Sequence, residues 1–220
     1  MANEDLRNIP SAYLFEEVMR RYKCNFRPLG SAVFIGPRYA GKTTQAEKLA
    51  EFNCWCHIEP NELIKEHISK NTQIGKFAND QIDKGKSIED NLIVQAVVSR
   101  IKEPMCSHGA VFDGFPLNKN QAEIFDSEIG KFNVSIDRIV SFEATDSTLV
   151  KRANKSLDPD SKYAGLLSLE TSDKYNDKVA DVIKHYKNKK NVIKMNTIEG
   201  ERAVWTRLRN LFSKNDPDNK

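Results

Sequence analysis

Five short runs of apolar and β-branched residues recur along the chain, and stretches with helical spacing of their apolar positions separate them. The predicted strands are Ala32–Ile35, Cys54–Ile58, Ala110–Asp113, Arg138–Phe142 and Asn191–Met195. The predicted helices are Gly41–Phe52, Glu62–Lys70, Lys76–Asp83, Ile88–Ile101, Gln121–Asp126, Ser147–Asn154, Asp173–Lys187 and Glu201–Phe212. Strands that alternate with helices form parallel sheets covered on both faces. The pattern therefore predicts an α/β fold, with a five-stranded parallel sheet sandwiched by helices.

Two segments do not fit a simple alternation of strand and helix. Residues 59–109, between the second and third strands, are too many for one crossover helix, so we predict an inserted helical subdomain. Ahead of the sheet, the stretch IPSAYLFEEVMRRY predicts a helix that docks on the body of the protein, with partner binding as a second role. The apolar residues of this helix are Tyr13, Leu14, Val18 and Tyr22. The polar segment Lys155–Leu166 contains proline and glycine, which is typical of a loop.

Composition narrows the classes of partner. Charged residues make up 30% of the chain and hydrophobic residues 39%, as in soluble globular proteins. The net charge of +3 does not suggest the concentrated basic face of a nucleic-acid binder. No window approaches the roughly 18 apolar residues of a membrane span. The start, MANEDLRNIP, lacks the features of a signal peptide. We therefore expect a cytoplasmic protein with neither nucleic acid nor membrane as a partner.

The four cysteines, Cys24, Cys54, Cys56 and Cys106, are expected to be reduced, buried thiols, as in other cytosolic proteins. The stretch CWCH, residues 54–57, has an alternative interpretation as a metal cluster. No second ligand pair follows it, and alternate residues of a strand face opposite ways. Buried thiols are therefore the preferred interpretation.

A glycine, four assorted residues and then Gly-Lys-Thr lie between the first strand and the first long helix, in FIGPRYAGKTTQAEKLA. In this context the spacing is typical of a phosphate-binding loop. Backbone N–H groups at the helix start point at phosphate oxygens, and the helix dipole favours the anion. We expect Lys42 to bridge the terminal phosphates and the Thr43 hydroxyl to reach a magnesium ion. The alternative is a glycine turn with a solvated lysine.

From about Ala32 to Phe212 the chain resembles adenylate kinases, members of the nucleoside monophosphate kinase family. GPRYAGKTTQAEKLA resembles the family's phosphate loop, and HIEPNELIKEHISKNTQIGKFANDQIDKGKSIEDNLIV resembles its monophosphate-binding insertion. VFDGFPLNKNQAEIFD resembles the signature Asp-Gly-Phe-Pro-Arg with a following Gln-Ala. DSTLVKRANK resembles the helix before the lid, and VIKMNTIEG resembles the last strand and the loop at the donor base. The resemblance implies a P-loop sheet with a moving lid, and transfer of phosphate between ATP and AMP with Mg2+.

The resemblance also implies a division of the chain. Residues 1–28 form an N-terminal helical extension, and residues 29–213 form the adenylate kinase-like domain. Within that domain, the monophosphate-binding insertion covers about residues 59–88, and a short lid covers about residues 153–170. We predict that the tail, residues 214–220, is disordered.

Individual roles follow from the same resemblance. The candidate catalytic residues are Lys42, Asp113, which holds magnesium through water, and Arg152, which stacks on the ATP base. Gln121 reads the AMP base, and glutamine at this position favours adenine. The ATP-binding candidates are Gly36, Gly41, Lys42, Thr43, Thr44, Arg152 and Gly200. The AMP-binding candidates are Lys65, Gly114 and Gln121, and the metal candidates are Thr43 and Asp113. The alternatives are a helix or turn cap for Asp113, and exposed helix positions for Gln121 and Arg152.

The chain departs from the family at its arginines. Phosphoryl transfer depends on positioning and charge stabilisation, which this family achieves with a ring of arginines. Lys65 replaces the arginine of the monophosphate-binding helix, and Leu117 replaces that of the signature. No arginine occurs between Arg152 and Arg202. The lysines in the right regions to compensate are Lys65, Lys151, Lys155, Lys162 and Lys174.

Two further departures concern the loop and the start of the insertion. Arg38 and Tyr39 stand where the family usually has proline and glycine. The stretch EPNE, with Glu59 and Glu62, replaces the usual Ser-Thr-Gly-Asp and brings negative charge near an AMP phosphate.

Two functions therefore remain open. The chain is either a divergent adenylate kinase that transfers phosphate from ATP to AMP, or a nucleotide-binding domain with weak or no activity. In the second case it would have a structural role with a protein partner, as degenerate adenylate kinase-like domains have in ciliary and cytoskeletal assemblies.

Overall fold

The fold is described here from a computed structural model, for residues 10–25, 27, 29–132, 136–156, 172–187 and 191–213. The strands are β1 Gly30–Ile35, β2 Cys56–Ile58, β3 Gly109–Asp113, β4 Arg138–Glu143 and β5 Asn191–Asn196. The α-helices are α1 Ser11–Cys24, α2 Lys42–Asn53, α3 Pro60–Ser69, α4 Gln73–Asp83, α5 Asp90–Ile101, α6 Lys119–Gly130, α7 Asp146–Ser156, α8 Ser172–Lys187 and α9 Glu201–Ser213. A 3-10 helix, Pro104–Cys106, precedes β3. The predicted strands and helices are confirmed, and their ends differ from the predicted ends by at most a few residues.

The sheet has the strand order β2-β3-β1-β4-β5, and all the pairings are parallel, as predicted. The central strand β1 is buried on both faces because its side chains are apolar at every position from Ala32 to Ile35. Val33 and Ile35 belong to the core on one face, whereas Ala32 and Phe34 belong to the core on the other. Burial of both faces explains why this strand is a continuous apolar run.

The carboxyl ends of β1 and β3 lie side by side. Phe34 of β1 is in register with Asp113 of β3, and the Gly114 N–H donates to the Phe34 carbonyl at 2.8 Å. The loop after β1 and the loop after β3 therefore leave the sheet as neighbours. In parallel α/β sheets this edge is where ligands bind.

The predicted helical insertion consists of α3, α4 and α5, which pack on one another. Pro60 begins α3 after its N-cap residue Glu59, and Thr72 caps α4 by accepting a hydrogen bond from the Gly75 N–H at 3.1 Å. Gly75 lies where α4 approaches the backbone at the end of α3 closely. A Cβ atom at Gly75 would lie 2.1 Å from the His67 carbonyl oxygen. The side-chain hydrogen of glycine is thus what permits the close contact between the two helices.

The prediction of four reduced cysteines is wrong, because the sulfur atoms form the disulfides Cys24–Cys54 and Cys56–Cys106. The predicted second strand was placed too early. Cys54 is the residue that ends α2, in a left-handed conformation with φ 58°, and only Cys56 begins β2. The two sulfurs of the CWCH stretch therefore point to different elements of the fold and pair with different cysteines.

The prediction that α1 docks on the body of the protein is also wrong for most of its apolar residues. Tyr13, Val18 and Tyr22 are 71%, 61% and 59% exposed, and Phe15 is 67% exposed. The disulfide at Cys24 links the end of this helix to the end of α2. The helix is thus attached covalently, while these four side chains remain largely accessible to solvent.

Parts of the predicted organisation fall outside the described residues. These are most of the short lid, within residues 157–171, and the tail at 214–220. The helix α7 continues through Ser156, so the first two residues of the predicted polar loop are helical. Among the described helices, none is both long enough and apolar enough to cross a membrane.

The close contact at Gly75 predicts a specific effect on stability. The substitution Gly75→Ala should lower the free energy of unfolding by about 1–3 kcal/mol, because backbone must move to admit the methyl group. Gly130→Ala is the matched control, since a Cβ there meets nothing within 4 Å and φ is not positive. It should be neutral or stabilise the protein by about 0.5–1 kcal/mol. Urea unfolding measures both variants, and equal free energies of unfolding would contradict the close contact.

Candidate functional site

The loop predicted to bind phosphate lies between β1 and α2, where the sequence places it. Gly41 is the N-cap of α2 and has φ 92°, a left-handed conformation that glycine adopts without steric cost. The helix begins at Lys42, so its unpaired N–H groups face the end of the sheet. The arrangement is that of an anion site at a helix N-terminus.

Tyr39 does not prevent this loop conformation. Its φ of 64° places it in the left-handed region, which costs a residue with a Cβ atom about 1–2 kcal/mol. The carbonyls of Tyr39 and Ala40 each accept a hydrogen bond from Arg152 Nη1 at 3.2 Å. The guanidinium of Arg152 also donates to the Thr197 carbonyl oxygen. Arg152 therefore links the phosphate loop to the end of β5 and stabilises the unusual backbone.

A large open cavity of about 1430 Å³ lies between the loop and the insertion. Most of the predicted site residues line it, and they come from both halves of the expected site. These residues are Gly36, Gly41, Lys42, Thr43, Thr44, Lys65, Asp113, Gly114 and Gln121.

A second cavity, of about 340 Å³, lies on the other side of the loop. Arg152 and Gly200, the remaining two predicted residues, line it. Tyr39, Gly41 and Thr44 line both cavities, which therefore meet along the phosphate loop. A nucleotide with its phosphates on the loop would have space for its base in the second cavity.

Lys42 and Asp113 form the charged floor of the main cavity. The Lys42 ammonium donates to the Pro37 carbonyl at 2.9 Å. Burial lowers the pKa of Lys42, as does the nearby charge of Arg38, while the Asp113 and Glu59 carboxylates act in the opposite direction. Asp113 is only 2% exposed, and one of its oxygens lies 3.3 Å from His57 Nε2.

Gln121 lines the same cavity, is itself buried, and is held by a network of hydrogen bonds. Its Oε1 accepts from the Leu117 N–H at 2.8 Å, and its Nε2 donates to Asp90 Oδ1 at 2.7 Å. Asn118 and Asn120 also donate to the Asp90 carboxylate. Burial raises the pKa of Asp90, but these three hydrogen bonds outweigh it and hold the pKa below its usual value. The network fixes the orientation of the glutamine.

The insertion side of the cavity is rich in carboxylates. Lys65 lines the cavity, but its ammonium is 2.7 Å from Glu62 Oε1, and this hydrogen bond raises the pKa of Lys65. The Glu59 carboxylate accepts from the N–H groups of Asn61 and Glu62, so it occupies the N-terminus of α3. Leu117, where the family has an arginine, is 48% exposed and also lines the cavity.

The other lysines expected to compensate do not line either cavity, as far as the structure describes them. Lys151 and Lys155 are exposed on α7 and are absent from both linings. Lys162 lies outside the described residues, as does the side chain of Lys174. Of the five candidates, only Lys65 lies at the main cavity within the described part of the chain.

Sequence reasoning missed several residues of the site. Tyr175 on α8 is buried, lines the main cavity and accepts a hydrogen bond from the Gly36 N–H at 2.9 Å. Thr197 accepts a hydrogen bond from Arg152, and Asp90 accepts one from Gln121. His57 lies within hydrogen-bond distance of Asp113. The sequence could have indicated His57, because it lies near the carboxyl end of a predicted parallel strand. The sequence could not have indicated Tyr175, since only the packing of α8 brings it to the loop.

The fold and the cavity define a P-loop protein of the α/β class. Residues 34–194 match the family described as adenylate kinase. The chain is similar to adenylate kinase 4 of Oryza sativa subsp. japonica, with 31% identity over 69% of this chain and 62% of that protein. It is similar to adenylate kinase 4 of Arabidopsis thaliana, with 30% identity over 69% of this chain and 61% of that protein. An adenylate kinase of Archaeoglobus fulgidus is 33% identical over 54% of this chain and 55% of that protein.

The chain therefore belongs to the adenylate kinase family. The match spans about three-fifths of the length of the two plant relatives. Adenylate kinases bind ATP and AMP, and they generally use ATP together with Mg2+.

The position of Lys42 predicts opposite effects on stability and on ligand binding. Lys42→Met should raise the unfolding temperature of the ligand-free protein by a few degrees. In a domain of this size, such a shift corresponds to a gain of about 1 kcal/mol in the free energy of unfolding. The reason is that the folded state holds the lysine with a lowered pKa, so its charge opposes folding at neutral pH. The same substitution should abolish the stabilisation by ATP, which is about 2.7 kcal/mol at 100 times the dissociation constant.

Thermal unfolding with and without Mg-ATP measures both effects. Lys48→Met is the matched control, because Lys48 lies on the same helix but lines neither cavity. If Lys42→Met retained the shift caused by ATP, the assignment of Lys42 to the phosphates would be wrong.

Proposed function

We propose that the chain binds ATP with Mg2+ on the phosphate loop and transfers the terminal phosphoryl group to AMP, at a rate below that of an ordinary enzyme. The observation that supports this function is one cavity lined by residues of both sets. Lys42 and Thr43 lie on its donor side, and Gly114 and Gln121 lie on its acceptor side. A donor and an acceptor bound there would meet without crossing solvent.

On the donor side, the residues suit a triphosphate. The N-terminus of α2 and the Lys42 ammonium would bind its phosphates, and Arg152 would lie beside its base. The Thr43 hydroxyl and the Asp113 carboxylate fit a magnesium ion, which usually takes one or two protein ligands and the rest from phosphate and water. When bound, such an ion would supply positive charge that offsets the negative charge of the phosphates. Among the described residues, no cluster of three or more acidic, histidine or cysteine side chains offers a metal site without the nucleotide.

On the acceptor side, Gln121 would read the AMP base. Its two hydrogen bonds to Leu117 and Asp90 leave one N–H and one lone pair of the amide for a ligand. The network thus orients the amide without using all of its hydrogen-bonding capacity. The phosphate of AMP would meet Lys65, after that ammonium exchanges Glu62 for the ligand.

The expected rate is low because cations are scarce around the transferred group. A single transition-state arginine is worth roughly 10³–10⁵ in rate. Lys65 is paired with Glu62, and Leu117 carries no charge. Glu59 places a carboxylate at the helix end that would otherwise favour an anion. We therefore expect turnover well below the roughly 10 s⁻¹ of a typical enzyme.

A second candidate function is a nucleotide-binding subunit that does not turn over and acts through a protein partner. The observation that favours it is the exposure of Tyr13, Phe15 and Val18 on α1. A helix that presents aromatic residues to solvent is typical of an interaction surface. A ciliary or cytoskeletal setting for this function stays a prediction.

A coupled assay of ADP formation from ATP and AMP separates the two functions. The Lys42→Met variant, purified in the same way, gives the background rate. ATP binding is measured in parallel by calorimetry. Slow turnover above background supports the transferase. ATP binding with turnover no higher than background would exclude the transferase and leave the non-catalytic subunit.

The charge balance of the acceptor side makes a sharper prediction. Leu117→Arg combined with Lys65→Arg should raise the affinity for AMP about tenfold or more, since a hydrogen bond to a charged group is worth about 1.5–3 kcal/mol. Turnover should rise with it. AMP titration by calorimetry and the coupled assay measure the two effects.

Ile82→Arg is the matched control for the added charge. Ile82 is 49% exposed, close to the 48% of Leu117, and it lies on the insertion without lining the cavity. It should change neither AMP affinity nor turnover. An unchanged AMP affinity in the double arginine variant would contradict the proposed position of the AMP phosphate.

A further inference from the structure

Arg38 is a cation of the main cavity to which the resemblance assigns no role. It is the third residue after β1 and is exposed between buried Pro37 and partly buried Tyr39. Arg38 lines the large cavity together with Lys42, Lys65 and Leu117, but it does not line the smaller cavity beside Arg152. Its side chain therefore lies on the side of the loop where transfer would occur, away from the expected donor base.

The guanidinium of Arg38 is available for a ligand. No ion pair among the described residues includes it, and its guanidinium carbon lies 5.9 Å from the centroid of the Tyr39 ring. By contrast, Lys65 is paired with Glu62, and Arg152 is bound to the carbonyls of Tyr39, Ala40 and Thr197. Arg38 thus differs from the other two cations in having no acceptor that it must give up.

The backbone on both sides of Arg38 is held in place. The Pro37 carbonyl accepts from Lys42, and the Tyr39 carbonyl accepts from Arg152. A side chain between two anchored peptides starts from a fixed point, so less entropy is lost when its guanidinium binds a ligand. The loop therefore presents Arg38 in a defined position at the rim of the cavity.

Arg38 is also close enough to Lys42 for the two charges to interact. The positive charge of Arg38 contributes to the lowered pKa of Lys42. Two cations that line the same cavity and repel each other favour a bound polyanion, because phosphate oxygens attract both charges. The terminal phosphoryl group of ATP has this character.

We propose that Arg38 is a catalytic residue, whose guanidinium binds oxygens of the phosphoryl group in transfer and takes over part of the role of the arginines replaced by Lys65 and Leu117. This inference rests on the proposed transferase function. In the step, an oxygen of the AMP phosphate forms a bond to the γ-phosphorus while the bond from that phosphorus to the bridging oxygen breaks, and its electron pair stays on ADP. Arg38 keeps all its protons and stabilises the charge on the oxygens. A planar guanidinium suits this task because it donates two parallel hydrogen bonds.

The test compares Arg38→Ala and Arg38→Lys with the unchanged chain in the coupled assay, with ATP binding measured on the same samples. Arg38→Ala should lower kcat about 10³-fold, the lower end of the effect of a transition-state arginine. The dissociation constant of ATP should change less than about tenfold, because the loop N–H groups and Lys42 remain. Arg38→Lys should recover only part of kcat, since a lysine restores the charge without the two parallel donors. Added guanidinium ion should restore part of the activity of Arg38→Ala.

Arg209→Ala is the control for the loss of an exposed arginine, because Arg209 lies on α9 and lines neither cavity. It should leave kcat unchanged. Thermal unfolding of each variant separates loss of fold from loss of activity.

The experiment distinguishes a failure of the Arg38 inference from a failure of the proposed transferase function. If the unchanged chain turns over and Arg38→Ala keeps kcat within about threefold, Arg38 is not catalytic, but the proposed transferase stands. If Arg38→Ala instead raises the dissociation constant of ATP with kcat unchanged, Arg38 only binds the donor, and the inference is again overturned. If the unchanged chain shows no turnover above the Lys42→Met background, the transferase and the catalytic role of Arg38 fail together.

Discussion

The parallel pairing of β1 with β3 decides where most residues of the candidate site lie. Because Phe34 is in register with Asp113, the two strands end together, and the loops that follow them open on the same cavity. The phosphate loop and the start of α2 follow β1. Asp113 ends β3, and Gly114 and Leu117 lie in the loop after it. Without this register, a helix N-terminus and an aspartate separated by some seventy residues of sequence would not meet. Packing of apolar residues on both faces of β1 maintains the register.

The cavity is electrostatically divided. On the proposed donor side, the N-terminus of α2 and the Lys42 ammonium would favour a polyphosphate. On the proposed acceptor side, Glu59 caps α3 with its own carboxylate, and Lys65 is bound to Glu62. An anion arriving there must displace carboxylates that already satisfy those donors. The same local rules that make the insertion a stable helical unit thus weaken it as a phosphate-binding site. Arg38 lines this cavity from the loop after β1, and this position gives its charge a significance that its place in the sequence alone does not suggest.

Much of the fold and part of the site follow from local pattern. The alternation of strand and helix is strong because each element needs its own apolar spacing, and the glycine-lysine loop has few structural alternatives between a strand and a helix. The cysteines were expected to be reduced because cytosolic proteins rarely contain disulfides, and the sequence does not show which cysteines the fold brings together. Cys54 was also placed in a strand, whereas it ends a helix in a left-handed conformation. The N-terminal helix was expected to dock because its apolar residues repeat at helical spacing, and that spacing does not indicate whether a neighbouring surface exists to cover them.

The sequence by itself determined the class of fold, the phosphate loop, the helical insertion and the loss of the family's arginines. These features depend on short-range spacing or on residue identity, which a chain displays without folding. Only the tertiary structure decided which charges face the cavity and which are already paired. The pairing of Lys65 with Glu62, the binding of Arg152 to the loop carbonyls and the hydrogen bond from Gly36 to Tyr175 depend on contacts with specific geometry. Two of these three contacts join residues more than a hundred positions apart, and side-chain packing rather than local propensity brings such residues together.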